Sequence, residues 1–186
     1  MAMSSKVKPD AQTVSGVAAR ERSSDPIDPG VRIGHVHLKT ANLEGVHHFY
    51  VDILGFDVIF RMPTALFVSA GGYHHHLAFN IWESEGGTPP PPGTTGLYHV
   101  AINYPTRAAL GDALRRLVKA GWPLDGVNDH GTHEALYLRD PDGNGLEFAW
   151  DRPEDQWPRD AEGHLTFGNR RLDLDGLLKE GLEPEA

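Results

Sequence analysis

The chain has 186 residues, of which 39% are hydrophobic and 23% are charged, as expected for one globular domain or two small units that share a core. Its formal net charge of -9 argues against a nucleic-acid-binding surface, which needs a basic stripe. The absence of cysteine excludes disulfides, thiolate zinc sites, iron–sulfur clusters and cysteine nucleophiles, and it fits a reducing cytoplasmic location. No run of 18 apolar residues occurs, so no membrane-spanning helix is expected.

Glycine and proline divide the chain into successive parts. The first 30 residues are polar and lack the continuous apolar stretch of a signal peptide, so they are expected to be disordered. A run of four prolines near the middle cannot join a β-ladder and predicts an extended linker. The predicted parts are a disordered leader (1–30), a first βαβββ module (31–84), a Pro/Gly linker (85–96), a second βαβββ module (97–151) and a C-terminal tail (152–186).

The first module begins with a predicted strand over 33–40, in which His35 and His37 alternate with apolar residues. Asn42 is a good N-cap for a helix over 43–54, which Gly55 ends. Three short strands follow, at 56–61, 65–70 and 73–82.

The second module repeats this order. Its elements are a strand at 97–103, a helix at 106–120 that Gly121 stops, and strands at 123–124, 135–138 and 146–150. After Trp150 the pattern decays, and the tail is interpreted as a surface wrap or dimer element with no chemistry of its own.

A histidine marks the same point in both modules. His35 and His99 each stand third in a strand-like run, 20 and 22 residues before the glycines that end the helices. This repetition indicates a gene duplication. If the modules pack about a pseudo-twofold axis, both imidazoles face one shared cleft.

Glu147 is the best third member of such a site. It is a lone carboxylate in an apolar strand, and alternation puts its apolar neighbours on the opposite face. Burial of an unpaired carboxylate costs several kcal/mol, so a cation partner is expected.

Two imidazoles and one carboxylate are typical of the facial triad that holds non-haem Fe(II). His35, His99 and Glu147 are therefore the predicted metal ligands. The same ligand types suit Mn(II), Zn(II) or Ni(II). The alternative is that both histidines are ordinary strand residues and that Glu147 meets solvent or an arginine.

Several motifs resemble those of the vicinal oxygen chelate proteins, which include glyoxalase I, bleomycin-resistance proteins and type I extradiol dioxygenases. The motifs are the run at 34–38, Phe49-Tyr50 with the run at 54–56, and Asp-Pro-Asp-Gly-Asn-Gly-Leu-Glu at 140–147. The resemblance covers about residues 31–151. It implies an α+β fold in which paired βαβββ modules form a glyoxalase-like structure with a central metal cleft.

Further residues resemble the extradiol branch, close to catechol 2,3-dioxygenases. The run at 73–79 is similar to the strand that carries the active-site histidine base, and the match assigns that role to His75, with His76 as the main alternative. Tyr137 takes the position of a substrate-binding tyrosine, and His130 lies in a similar Asp-His-Gly turn. The alternative for Tyr137 is an aromatic residue of the core, and the alternative for His130 is an exposed histidine in a turn. Leu77 and Phe79 are expected to share the face of His75 and to form an apolar wall.

The resemblance implies an Fe(II)-dependent dioxygenase that cleaves a catechol-like small aromatic diol with O₂, in the cytoplasm and without membrane or nucleic-acid partners. Glyoxalase I usually has a second glutamate on the last strand of its first module, but residues 76–82 contain no acid. A glyoxalase-like isomerase or lyase with another divalent metal, and a non-catalytic small-molecule binding protein, remain the alternatives. A homo-oligomer is possible for proteins of this kind.

Overall fold

The computed structural model describes residues 23–181. Most of the predicted leader and the last five residues lie outside this range. Within it the chain forms eight strands, three α-helices, one π-helical segment and one 3₁₀ turn. The first module contains β1 (Val36–Lys39), α1 (Leu43–His47), the π-helical segment (His48–Ile53), β2 (Asp57–Met62), β3 (Ala65–Ser69) and β4 (Leu77–Asn80). The second contains β5 (Val100–Asn103), α2 (Arg107–Ala120), β6 (Leu124–Asp129), β7 (His133–Arg139) and β8 (Gly145–Asp151). The 3₁₀ turn (Glu154–Gln156) and α3 (Leu174–Glu180) follow.

Both modules build the same four-stranded sheet. The strand order is β1-β4-β3-β2 in one and β5-β8-β7-β6 in the other. In each sheet the first strand pairs parallel with the last, and the other pairs are antiparallel. The repeated topology confirms the prediction of an α+β fold made of paired βαβββ modules.

One face of each sheet packs against the helices and forms the core. In β1, Val36 and Leu38 pack against this core whereas His37 and Lys39 are exposed, as strand alternation requires. The opposite faces are thereby free to carry polar side chains. The largest fully buried side chains come from both modules: Phe49, Tyr50, Leu66, Phe79, Leu110, Leu117, Leu136, Leu138, Leu146, Phe148 and Leu177.

The helices follow the sequence closely, with one change. Asn42 and Thr106 cap α1 and α2 through their side chains, and Gly121 ends α2 with a φ of 66°. The predicted helix over 43–54, however, is α-helical only to His47 and continues as a π-helical segment. The wider turns bury Phe49, Tyr50 and Ile53 together.

Several strand boundaries differ from the predictions. The first strand begins at Val36 rather than at residue 33, and β4 begins at Leu77 rather than at residue 73. β6 and β7 are longer than predicted, because the polar residues Asn128, Asp129 and Glu134 join their ladder. Polar residues leave no apolar signal, which explains why β6 and β7 were predicted too short.

The tail packs onto the second module. Leu172 and Leu177 are only 4% and 0% exposed, and α3 lies so close to α2 that a Cβ at Gly111 would stand 2.3 Å from the carbonyl oxygen of Leu177. Arg170 forms an isolated antiparallel bridge with Asp129 at the end of β6. No helix between residues 23 and 181 is long and apolar enough to cross a membrane.

Candidate metal centre

Glu147 and His99 form the centre of the site. Glu147 lies on β8, on the face away from the core, yet it is only 7% exposed. His99 stands one residue before β5, whose register places Ala101 opposite Glu147. This register brings His99 Nε2 to 2.9 Å from Glu147 Oε2.

The other carboxylate oxygen has two partners of its own. His133 Nε2 lies 3.1 Å from Glu147 Oε1, and the hydroxyl of Tyr137 donates to the same oxygen over 3.2 Å. Burial alone would raise the pKa of Glu147, but the hydrogen bond from His133 and the nearby imidazoles outweigh it and lower this pKa. Glu147 is therefore held as a carboxylate.

Tyr137 links the carboxylate to His130. The Tyr137 hydroxyl lies 2.8 Å from His130 Nε2, and His130 Nδ1 lies 2.9 Å from the carbonyl oxygen of Gly168. Burial and the charge of Glu147 raise the pKa of Tyr137, so the phenol keeps its proton at neutral pH. Gly168 belongs to the tail, so a backbone carbonyl of the tail holds one of the predicted site residues.

Two clefts meet at His99. One, of about 400 Å³, is lined by His99, His130 and Tyr137 together with Asn128 and Asn169. The other, of about 740 Å³, runs between the edges of the two sheets. Among the residues that line this second cleft are both His35 and His99, one from each module.

His35 does not meet Glu147 in this structure. Its ring lies 4.3 Å from that of His75, measured between centroids. The three predicted ligands therefore do not have their ligand atoms within 4.8 Å of one another. Among residues 23–181, the one set of three potential ligands that does is Asp160, Glu162 and His164, on the surface of the tail. The structure thus joins His99 to Glu147 and places His35 on the facing edge of the shared cleft.

The histidines before β4 occupy different surroundings. His75 is half-buried beside His35, and burial together with the neighbouring imidazoles of His35 and His74 lowers its pKa. The alternative, His76, lies with its Nδ1 3.0 Å from the hydroxyl of Ser69.

The prediction that Leu77 and Phe79 share the face of His75 and form an apolar wall is wrong. Both side chains are buried in the core, 3% and 0% exposed, on the helix side of the sheet. Strand alternation could not place His75 relative to them, because His75 precedes β4 and lies in an irregular segment.

His133 is the member of the site to which the sequence predictions gave no role. It stands four residues before Tyr137 on β7, so both side chains lie on the same face of the sheet. The predicted strand began only at Ala135. A strand extended by two residues would have placed His133 on the same face of the sheet as Tyr137 and Glu147.

The amino-acid sequence is similar to those of two known dioxygenases. The chain is 39% identical over 155 residues to the catechol-2,3-dioxygenase of Bacillus subtilis (strain 168), a match that covers 83% of this chain and 53% of that protein. It is 34% identical over 122 residues to biphenyl-2,3-diol 1,2-dioxygenase 3 of Rhodococcus globerulus, which covers 64% of this chain and 63% of that protein. The chain therefore spans about half to two thirds of the length of these relatives.

Solved structures share the fold. A lactoylglutathione lyase from Agrobacterium tumefaciens superposes with a TM-score of 0.53 at 19% identity, over 66% of this chain and 96% of that one. A glyoxylase/bleomycin resistance protein/dioxygenase domain from Frankia sp. EAN1pec gives 0.55 at 23% identity, over 66% and 98%. The Glyoxalase/Bleomycin resistance protein/Dioxygenase superfamily profile matches residues 32–148. The duplicated topology and this match show that the chain belongs to the Glyoxalase/Bleomycin resistance protein/Dioxygenase superfamily.

Proposed function

We propose that this protein is a metal-dependent extradiol dioxygenase that opens the ring of a catechol-like aromatic diol with O₂. The observation that carries the proposal is the buried carboxylate of Glu147, which has His99 on one oxygen and Tyr137 on the other. The names of two relatives, a catechol-2,3-dioxygenase and a biphenyl-2,3-diol 1,2-dioxygenase, support the same chemistry.

The donor types present, two imidazoles and one carboxylate, fit a divalent cation. Glu147 is held as a carboxylate, His99 directs Nε2 at it, and His35 lines the same cleft from the other module. We assign these three as the ligands of the metal, with Fe(II) as the preferred ion and Mn(II) as the alternative. When bound, such an ion supplies Lewis acidity together with open positions for the diol and for O₂.

The remaining side chains supply a hydrogen-bond donor to the substrate and an acceptor for its proton. Tyr137 keeps its proton, so its hydroxyl is a hydrogen-bond donor to a substrate oxygen bound next to Glu147. His130, held through Nδ1 by the carbonyl of Gly168, supports Tyr137 from behind. His75, whose pKa is lowered, is neutral at pH 7 and is able to accept a hydroxyl proton.

The test is anaerobic purification, loading with Fe(II), and a screen of substituted catechols under O₂. We expect uptake of one O₂ per diol and the yellow colour of a ring-opened product. Glu147→Gln should abolish both, because it removes the charge that holds the metal. His48→Ala is the matched control, since His48 is exposed and, among residues 23–181, pairs only with Asp52. No uptake by the Fe(II)-loaded or Mn(II)-loaded protein with any catechol would overturn the proposal.

A further inference from the structure

His133 is fixed by three contacts at the start of β7. Its Nδ1 lies 2.9 Å from the hydroxyl of Thr132, and its Nε2 lies 3.1 Å from Glu147 Oε1. Its ring also packs against that of His130, with 4.6 Å between centroids and 32° between planes. The ring therefore has little freedom, and its Nε2 is aimed at one carboxylate oxygen.

The two oxygens of Glu147 have different surroundings. Oε2 faces His99, whereas Oε1 faces His133 and Tyr137. The terminal torsion of a glutamate is broad, so a carboxylate without fixed partners exchanges its oxygens easily. A donor that holds Oε1 in place consequently fixes the direction of Oε2.

Tyr137 is a shared donor. Its hydroxyl has one proton and two neighbouring acceptors, Glu147 Oε1 at 3.2 Å and His130 Nε2 at 2.8 Å. His133 has no such competition at Nε2, because its partner there is a carboxylate oxygen, which can only accept and therefore faces an N–H. His133 is thus the more constant of the two donors to Oε1.

We propose that His133 is a positioning residue that holds Glu147 Oε1 by a hydrogen bond, so that Oε2 stays directed towards the metal beside His99. Unlike His99, His133 lines neither of the two clefts that meet at the site, so we give it no ligand role. The inference rests on the proposed function only in taking Glu147 as a metal ligand. Partners that orient a ligand in this way typically change metal affinity by about 10–100-fold when removed.

The experiment measures the affinity of the full chain for Mn(II), and anaerobically for Fe(II), by calorimetric titration. His133→Phe keeps a ring against His130 but has no N–H donor, so we expect its dissociation constant to rise by about 10–100-fold. His133→Gln keeps an amide donor at similar reach and should recover most of the affinity. His48→Ala should match the unaltered protein, and Glu147→Ala should abolish binding.

Each outcome is decisive. If His133→Phe binds metal as tightly as the unaltered protein while Glu147→Ala does not bind, the inference is overturned and the proposed function stands. If the Gln variant binds as weakly as the Phe variant, the donor role is overturned as well. If the unaltered protein binds neither ion, the proposed function fails and the inference fails with it. Thermal unfolding of each metal-free variant shows whether a loss of affinity reflects a loss of fold, and the Gln variant carries the test if the Phe variant is unstable.

Discussion

The hydroxyl of Tyr50 donates a hydrogen bond to Asp140 Oδ2 over 3.1 Å, although the two residues are 90 positions apart. Tyr50 is fully buried in the first module, and Asp140 is 4% exposed in the turn between β7 and β8 of the second. The other oxygen, Oδ1, accepts the backbone N–H groups of Asp142 and Asn144, and Asp142 in turn accepts from the N–H of Ala41. These hydrogen bonds fix the conformation of the turn between β7 and β8, and they also connect this turn to the first module.

Tyr50→Phe should lower the free energy of unfolding by about 1–3 kcal/mol. The change removes the hydroxyl and leaves a buried carboxylate oxygen with one partner fewer. Urea denaturation measures the loss. The matched control is Tyr73→Phe, since the Tyr73 hydroxyl makes no side-chain hydrogen bond within the part of the chain described, and it should change the stability little. Equal stability of the Tyr50 variant and the unaltered protein would show that the contact does not join the modules.

The metal-free protein should lose stability in acid through Glu147. Its pKa in the folded state is lowered, so the unfolded state binds a proton more readily. The contribution of Glu147 is present above the ordinary glutamate pKa of about 4.3 and is lost as the pH falls below it. Thermal unfolding between about pH 6 and pH 3 should show a steeper loss for the unaltered metal-free protein than for Glu147→Gln. Parallel curves for the two proteins would contradict this assignment.

His75→Ala should retain the metal and lose turnover. Its pKa is lowered by burial and by the imidazoles of His35 and His74, so the side chain is a neutral base at pH 7. Loss of a general base costs about 10²–10⁴-fold in kcat. His76→Ala is the comparison, because that imidazole is held at Ser69 and Ala70 and is expected to have no part in proton transfer. Normal kcat in His75→Ala, or a loss confined to His76→Ala, would move the base elsewhere.

The spacing of apolar residues, together with the residues that begin and end helices, predicted several features of the fold correctly. The order of the elements, the cap at Asn42, the helix end at Gly121 and the place of Glu147 on the face away from the core all follow from local pattern. The pairing of His99 with Glu147 also follows, because parallel pairing of the first and last strands brings their ends together.

Other features depend on contacts between distant segments. Gly168 reaches His130 from 38 positions away, and no local pattern indicates that a tail carbonyl will hold a site histidine. The orientation of His75 was unpredictable because it lies outside the ladder, where alternation does not apply. The position of His35 depends on how closely the two modules approach, which the sequence of either module does not specify.

The measurement that tests the central claim most directly is the metal content of the anaerobically Fe(II)-loaded protein and of its His35→Ala, His99→Ala and Glu147→Ala variants. We predict one tightly bound ion per chain in the unaltered protein and in the His48→Ala control, and loss of that ion in each of the three variants. Full retention of the ion in His99→Ala or Glu147→Ala would contradict the metal centre. Full retention in His35→Ala alone would show that the first module contributes no ligand.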